Sequence, residues 1–309
     1  MSIIIIVITV AAILLLACWS VIWWLAAKSQ SPRRAPIHRK PEQRYDTVTF
    51  EGNAQLTGWL VWPDEIKHSS SDKQERYPAI VISHGWGSNR ARVLRYADRL
   101  SDAGYVLLLY DVTSHGESEA VRAPSALLFR DDIKAAVQYL RNRPEIDPAR
   151  IGVLGHSLGG FGTLLALDEG LEVAAIVTDS MPSRPFTMVA AELRRRKLPL
   201  FPLAWMIPRI WLWRARIPWA DYDRLNLAST LSNNAHKGDA QVPVLMVHSN
   251  GDTFIPATEL TGTIQRLPYQ QPHVLVDTPG HSCSEQDERF WDAVLPFYDT
   301  YVKDRPAAV

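Results

Sequence analysis

The chain has 309 residues, 47% hydrophobic and 21% charged, enough for one substantial globular domain with additional segments. Its 33 basic and 33 acidic side chains give a formal net charge of zero, so no overall field recruits nucleic acid or another polyanion. Two cysteines, Cys18 and Cys283, exclude a disulfide framework and offer no zinc-ligand spacing, so chemistry without metal or cofactor is expected.

Residues 1–27 carry no charged side chain and exceed the roughly 20 residues that a helix needs to cross about 30 Å of hydrocarbon. Trp19, Trp23 and Trp24 lie toward one end, where aromatic rings favour the membrane interface. A cleaved signal peptide has a positive n-region and a shorter apolar core, so an uncleaved transmembrane anchor is predicted. "LLLAC" at 14–18 faintly resembles a lipobox, but the apolar sequence runs on past Cys18. Residues 28–44 then bring Lys28, Arg33, Arg34, Arg39, Lys40 and Arg44, a basic flank that predicts a cytoplasmic domain. This proline-bearing stretch reads as a tether. Fully extended it spans only about 50–60 Å, which keeps the domain near the bilayer.

From residue 45 to 309 the pattern is that of one α/β domain. "DTVTF" and "LTGWLVW" read as an opening strand pair, and "YPAIVISHG" as a buried strand ending in a glycine turn. A helix is expected near 90–103, a strand at "YVLLLYD" and a long amphipathic helix at 126–141. "IGVLG", "VAAIVTD", "VPVLMVHS" and "HVLVD" complete the strands, and a last helix is expected near 285–302. Continuous apolar strands separated by helices predict a mostly parallel central sheet with helices on both faces.

The chemistry starts at Gly155-His156-Ser157-Leu158-Gly159, a G-x-S-x-G nucleophile elbow between a strand and a helix. Its tight turn strains the serine backbone, lifts the hydroxyl clear and sets it above a helix N-terminus. A serine needs a base and an orienting acid, which follow the nucleophile in the chain order acid, then histidine. "NGDTFIP" places Asp252 after one strand and "TPGHS" places His281 after the next, on the same sheet edge. His38, His68, His84, His115, His156, His236, His248 and His273 precede the acid, interrupt the core or sit within strands and polar loops. Asp179, also at a strand end, is the second candidate acid. The oxyanion donors are expected to be the backbone amides of Leu158 and of Trp86, in "SHGWGSNR", with His84 structural.

With "HGWG", "YDVTSHGES", "DDIKAAVQYL", "GHSLGG", "NGDTFIP" and "GHS" in place, the chain resembles an α/β-hydrolase from about Tyr45 to Val302. It is most similar to the branch shared by prolyl-oligopeptidase-like and serine-aminopeptidase-like hydrolases. That family usually has Arg-Gly where Thr113-Ser114 stand here, a departure expected to affect loop packing more than the triad. Residues 182–226 occupy the place where such hydrolases often insert a lid. From 184 to 216 this segment carries eight basic residues against one acid, Glu192, with Trp205, Trp211 and Trp213 interleaved. Those tryptophans are candidates for membrane contact at an anionic leaflet. No nucleic-acid fold accompanies them.

The expected function is a membrane-anchored serine hydrolase of lipophilic carboxylic esters or thioesters. A peptidase, an acyltransferase using the same acyl-enzyme, and a non-catalytic scaffold are the alternatives. The fold itself hosts many chemistries and does not choose among substrates.

Overall fold

A computed structural model describes residues 2–64, 76–223 and 225–305. Helix α1 (Ser2–Gln30) is long and apolar enough to cross a membrane. Strands β1 (Tyr45–Glu51) and β2 (Gln55–Val61) form a hairpin, followed by β3 (Tyr77–Ser83). A 3-10 stretch at Arg90–Tyr96 runs into α2 (Ala97–Asp102), then β4 (Val106–Tyr110) and α3 (Ala126–Arg141). Next come β5 (Ile146–His156), α4 (Leu158–Asp168) and β6 (Ala175–Asp179). Among the described residues four α-helices then lie between β6 and β7: α5 (Pro185–Arg195), α6 (Leu203–Ala215), α7 (Trp219–Asp223) and α8 (Leu227–Ala235). The chain closes with β7 (Val244–Gly251), α9 (Thr258–Ile264), β8 (His273–Pro279) and α10 (Glu288–Tyr298), which ends in a π-helical turn at Asp299–Lys303.

All eight expected strands form one sheet in the order β1-β2-β4-β3-β5-β6-β7-β8. The β1–β2 and β2–β4 pairings are antiparallel and the other five are parallel. Side chains alternate along each strand, so Val81, Leu108 and Val153 enter one core while Ile82, Leu109 and Leu154 enter the other. The first core lies under α3, α4, α8 and α9; the second lies under α2 and α10. Burial on both faces explains why the strands read as unbroken apolar runs.

Two expected helices differ in detail. The one near 90–103 begins as a 3-10 turn, because the Arg90 amide donates to Asp111 Oδ1 at 2.6 Å and ties that turn to the loop after β4. The last helix is interrupted where Asp287 caps α10 by accepting from the Arg289 amide at 3.1 Å.

The stretch after α1 packs along the domain instead of hanging as a tether. Asn89 Nδ2 donates to the Ala35 carbonyl at 2.9 Å, and the Trp62 amide to Arg44 O at 2.9 Å. Arg34 donates to the Ser118 carbonyl, and Ile37 lies against the second core. Prolines 32, 36 and 41 hold the chain extended, so its carbonyls are free to accept from neighbouring side chains. α1 itself joins α5 and α6 in a third apolar cluster, with Ala26 against Val189, Leu193, Ile207 and Ile210.

Loop packing after β4 rests on two buried carboxylates. Asp111 pairs with the Arg90 guanidinium, which also reaches Glu117 and lies 4.4 Å from the Trp59 ring centre. Burial pushes the Asp111 carboxyl above its usual range, and Arg90 pulls it partly back. Asp132 accepts from the Thr113 amide and hydroxyl at 2.7 and 3.0 Å, so Thr113 contributes to the loop and not to the catalytic groups. Arg90→Ala would leave Asp111 buried without its cation, a loss of about 3–5 kcal/mol. Urea unfolding should show it as a lower midpoint; an unchanged midpoint would contradict the pairing.

Candidate active site

β5 delivers the chain into the elbow at high curvature. Ser157 has φ 53°, an unfavourable region for a residue with a side chain, held by its amide donating to the Asp179 carbonyl at 2.8 Å. The glycines are steric necessities. A Cβ at Gly155 would lie 2.5 Å from Gly160 N, and one at Gly159 2.5 Å from Ser83 O.

His281 lies between the other two predicted residues, Ser157 and Asp252. Its Nε2 lies 2.9 Å from Ser157 Oγ and its Nδ1 lies 2.6 Å from Asp252 Oδ2. An ionised carboxylate only accepts, so Nδ1 carries hydrogen and Nε2 accepts from the serine hydroxyl. Asp252 is buried after β7, and its Oδ1 accepts from the amides of Phe254 and Ile255, both at 2.9 Å. The His281 loop leaves β8 through Gly280, whose φ of 90° suits glycine and whose amide donates to Gly251 O at 3.0 Å.

Leu158 and Trp86 are the expected oxyanion donors. Leu158 opens α4, so its amide has no partner within the helix. On the other side the backbone passes very close: a Cβ at Gly85 would lie 2.9 Å from Ser157 Cβ. Trp86 follows directly. His84 is structural, since its Nδ1 donates to Gly85 O at 2.8 Å and its Nε2 accepts from the Val112 amide at 3.1 Å.

Asp179, the second candidate acid, is not joined to His281. Its carboxylate accepts from Tyr96 at 2.5 Å, from Ser180 at 3.0 Å and from His156 Nδ1 at 3.3 Å. His156 Nε2 in turn lies 3.2 Å from Ser282 Oγ, and its ring centre is 4.9 Å from that of His281. Burial alone would raise the Asp179 carboxyl; His156 and Arg95 outweigh it and hold the group well below the usual carboxylate range. This second Asp–His–Ser alignment was missed from sequence, although His156 inside the elbow and Ser282 beside His281 were both visible. His68 lies outside the described residues.

An esterase of Pyrococcus furiosus superposes with a TM-score of 0.64 over 88% of this chain and 97% of its own, at 20% identity. An acylaminoacyl peptidase of Pyrococcus horikoshii superposes with a TM-score of 0.61 over 86% of this chain and 43% of its own, at 18% identity. Residues 74–216, which include the elbow, match the family model of serine aminopeptidases, S33. The chain has the α/β-hydrolase fold, and its residues 74–216 are similar to the serine aminopeptidases.

Among curated proteins, the chain is similar to the quorum-quenching protein AidA of Acinetobacter baumannii, with 35% identity over 115 residues, 36% of each chain. An uncharacterized protein of Mycobacterium tuberculosis is 25% identical over 249 residues, 79% of this chain and 74% of its own. The match thus spans little more than a third of AidA, and about three quarters of the mycobacterial protein. Among the described residues no group of three or more His, Cys, Asp or Glu side chains could hold a metal ion.

In the segment between β6 and β7, Trp205 and Trp213 are 55% and 70% exposed. Trp211 differs from the expectation that placed it with them. Its ring stacks on Trp86 at 6.5 Å and its indole N–H donates to Ala26 O at 2.8 Å, so it faces the protein.

Three buried histidines make the fold acid-sensitive. Burial lowers His84 to about 4, and His115 and His156 to about 3, from the ordinary 6.5 of an imidazole. Each is neutral when folded and takes a proton when unfolded, so the unfolded state binds more protons below pH 6.5. Their contribution is whole above that pH and is lost as pH falls toward 4 and 3. Unfolding midpoints should therefore drop between pH 7 and 5. His156→Asn should flatten that drop, and an identical slope in the variant would contradict the assignment.

Proposed function

We propose that the protein is a membrane-anchored serine hydrolase that cleaves carboxylic esters or thioesters of lipophilic acyl groups through Ser157, His281 and Asp252. The observation that carries this reading is His281 bridging Ser157 at 2.9 Å and Asp252 at 2.6 Å, beside a strained serine. Ser157 Oγ attacks the acyl carbonyl as His281 Nε2 takes the hydroxyl proton, and the amides of Leu158 and Trp86 receive the oxyanion. Collapse expels the alcohol or thiol, which takes the proton back from His281. Water then enters by the same route and releases the acid. Asp252 keeps the imidazole in the required tautomer throughout.

In this reading α1 spans the bilayer and the basic flank keeps the domain cytoplasmic. The α5–α8 segment is a lid whose exposed face, with Phe201, Trp205 and Trp213, meets the headgroups. Its basic residues favour an anionic leaflet. Brominated-lipid quenching in nanodiscs tests that contact. Trp213→Phe should reduce the quenched fluorescence and Trp211→Phe should not.

The substrate test is a panel of p-nitrophenyl esters from acetyl to palmitoyl beside aminoacyl p-nitroanilides. Turnover should rise with acyl length and exceed that of the anilides. Faster anilide cleavage would transfer the reading to a peptidase, which the description of the matching family model favours.

A further inference from the structure

The end of α1 is unlike the rest of that helix. Its apolar length is exposed, yet Gln30 is only 1% exposed and Ala26 is fully buried. The Gln30 amide is used at both ends. Nε2 donates to Pro124 O at 3.2 Å and Trp211 O at 3.0 Å, while Oε1 accepts from Arg214 Nε at 2.8 Å. A buried polar group bonded to two separate elements fixes their relative position and is costly to leave half-satisfied. Trp23 adds an edge-on contact to Trp213, with ring centres 5.3 Å apart.

From there a packed chain of side chains reaches the nucleophile. Trp211 donates to Ala26 O at 2.8 Å and stacks on Trp86 at an interplanar angle of 22°. Trp86 also meets the His115 ring edge-on at 5.2 Å, so it is clamped between α6 and the loop after β4. The residue before it, Gly85, has its Cβ position only 2.9 Å from Ser157 Cβ. A shift of Trp86 therefore moves backbone that touches the nucleophile.

We propose that the anchor is a working part of the active site: Gln30 is a positioning residue that holds α6 so that Trp211 fixes Trp86 and the backbone beside Ser157. The inference rests on the serine-hydrolase reading and goes beyond it. It makes the membrane helix a determinant of turnover as well as of location. The element that both ends share is α6, whose placement against α1 decides whether Trp86 is supported.

The test is a double-mutant cycle on the full chain in nanodiscs, with Gln30→Ala, Trp86→Leu and the pair. Active sites are counted by fluorophosphonate titration, so that kcat refers only to labelled Ser157. Each single change should lower kcat about five- to tenfold with KM within about twofold, and the pair should be no worse than the stronger single change. Losses that multiply, or wild-type kcat per labelled site in Gln30→Ala, would overturn the coupling. A merely structural role would lower the number of labelled sites and leave kcat per site intact. Should Gln30→Ala fail to fold, Trp211→Phe keeps an aromatic ring against Trp86 while removing the bond to Ala26 and part of the stacked surface. It should lower kcat per site about twofold to fivefold, and an unchanged value would overturn the proposal equally. A wild type that neither labels nor turns over esters would sink the serine-hydrolase reading itself, a result distinct from an active wild type with multiplicative losses.

Discussion

Ser157→Ala is expected to lower kcat for the best ester by about a millionfold and to abolish fluorophosphonate labelling, with little change in unfolding temperature. The substitution removes one oxygen and keeps the Cβ, so the elbow retains its φ of 53° and its amide bond to the Asp179 carbonyl. His281 loses its hydroxyl partner and nothing else at the site moves. Catalysis left over should come from the oxyanion donors and from binding alone. Steady-state kinetics beside thermal unfolding checks both halves. Activity within about tenfold of wild type would mean that the hydroxyl is not the nucleophile.

Asp252→Asn is expected to cost about four orders of magnitude in kcat with the fold retained. The carboxylate divides its work. Oδ1 accepts from two loop amides at 2.9 Å and Oδ2 accepts from His281 Nδ1 at 2.6 Å. Asparagine can keep the first role with its carbonyl oxygen. Its amide nitrogen then faces Nδ1 as a donor and forces the imidazole hydrogen onto Nε2, where it can no longer accept from Ser157. Asp179→Asn provides the contrast. It breaks into the group formed with Tyr96, Ser180 and His156, so it should lower the unfolding midpoint and affect kcat far less. Comparable kcat losses for the two variants would contradict the assignment of Asp252 as the orienting acid.

Much of this site could be read from the chain because its parts are local. Each strand is a short apolar run, and the serine, Asp252 and His281 each follow such a run directly, so strand order alone brings them to one edge. What escaped sequence reasoning depends on contacts between distant segments. Nothing about Gln30, a polar residue closing an apolar helix, announces bonds to residues 94 and 181 positions away. Residues 31–44 carry the composition of a free linker, yet the carbonyls of Ala35 and Arg44 accept from Asn89 and Trp62, and Arg34 donates to the Ser118 carbonyl across the domain. Trp205, Trp211 and Trp213 look equivalent in sequence. Helical geometry separates them, since only Trp211 lies on the face turned to Trp86 and Ala26.

The proposed reaction makes Ser157 an activated nucleophile held by His281. Its most direct test is to treat the full chain with a fluorophosphonate probe and map the adduct by peptide mass spectrometry, in wild type and in His281→Ala. A single adduct on Ser157 is expected in wild type, formed at least about a thousandfold more slowly in the variant. An adduct on another residue, or equal labelling rates with and without His281, would contradict it.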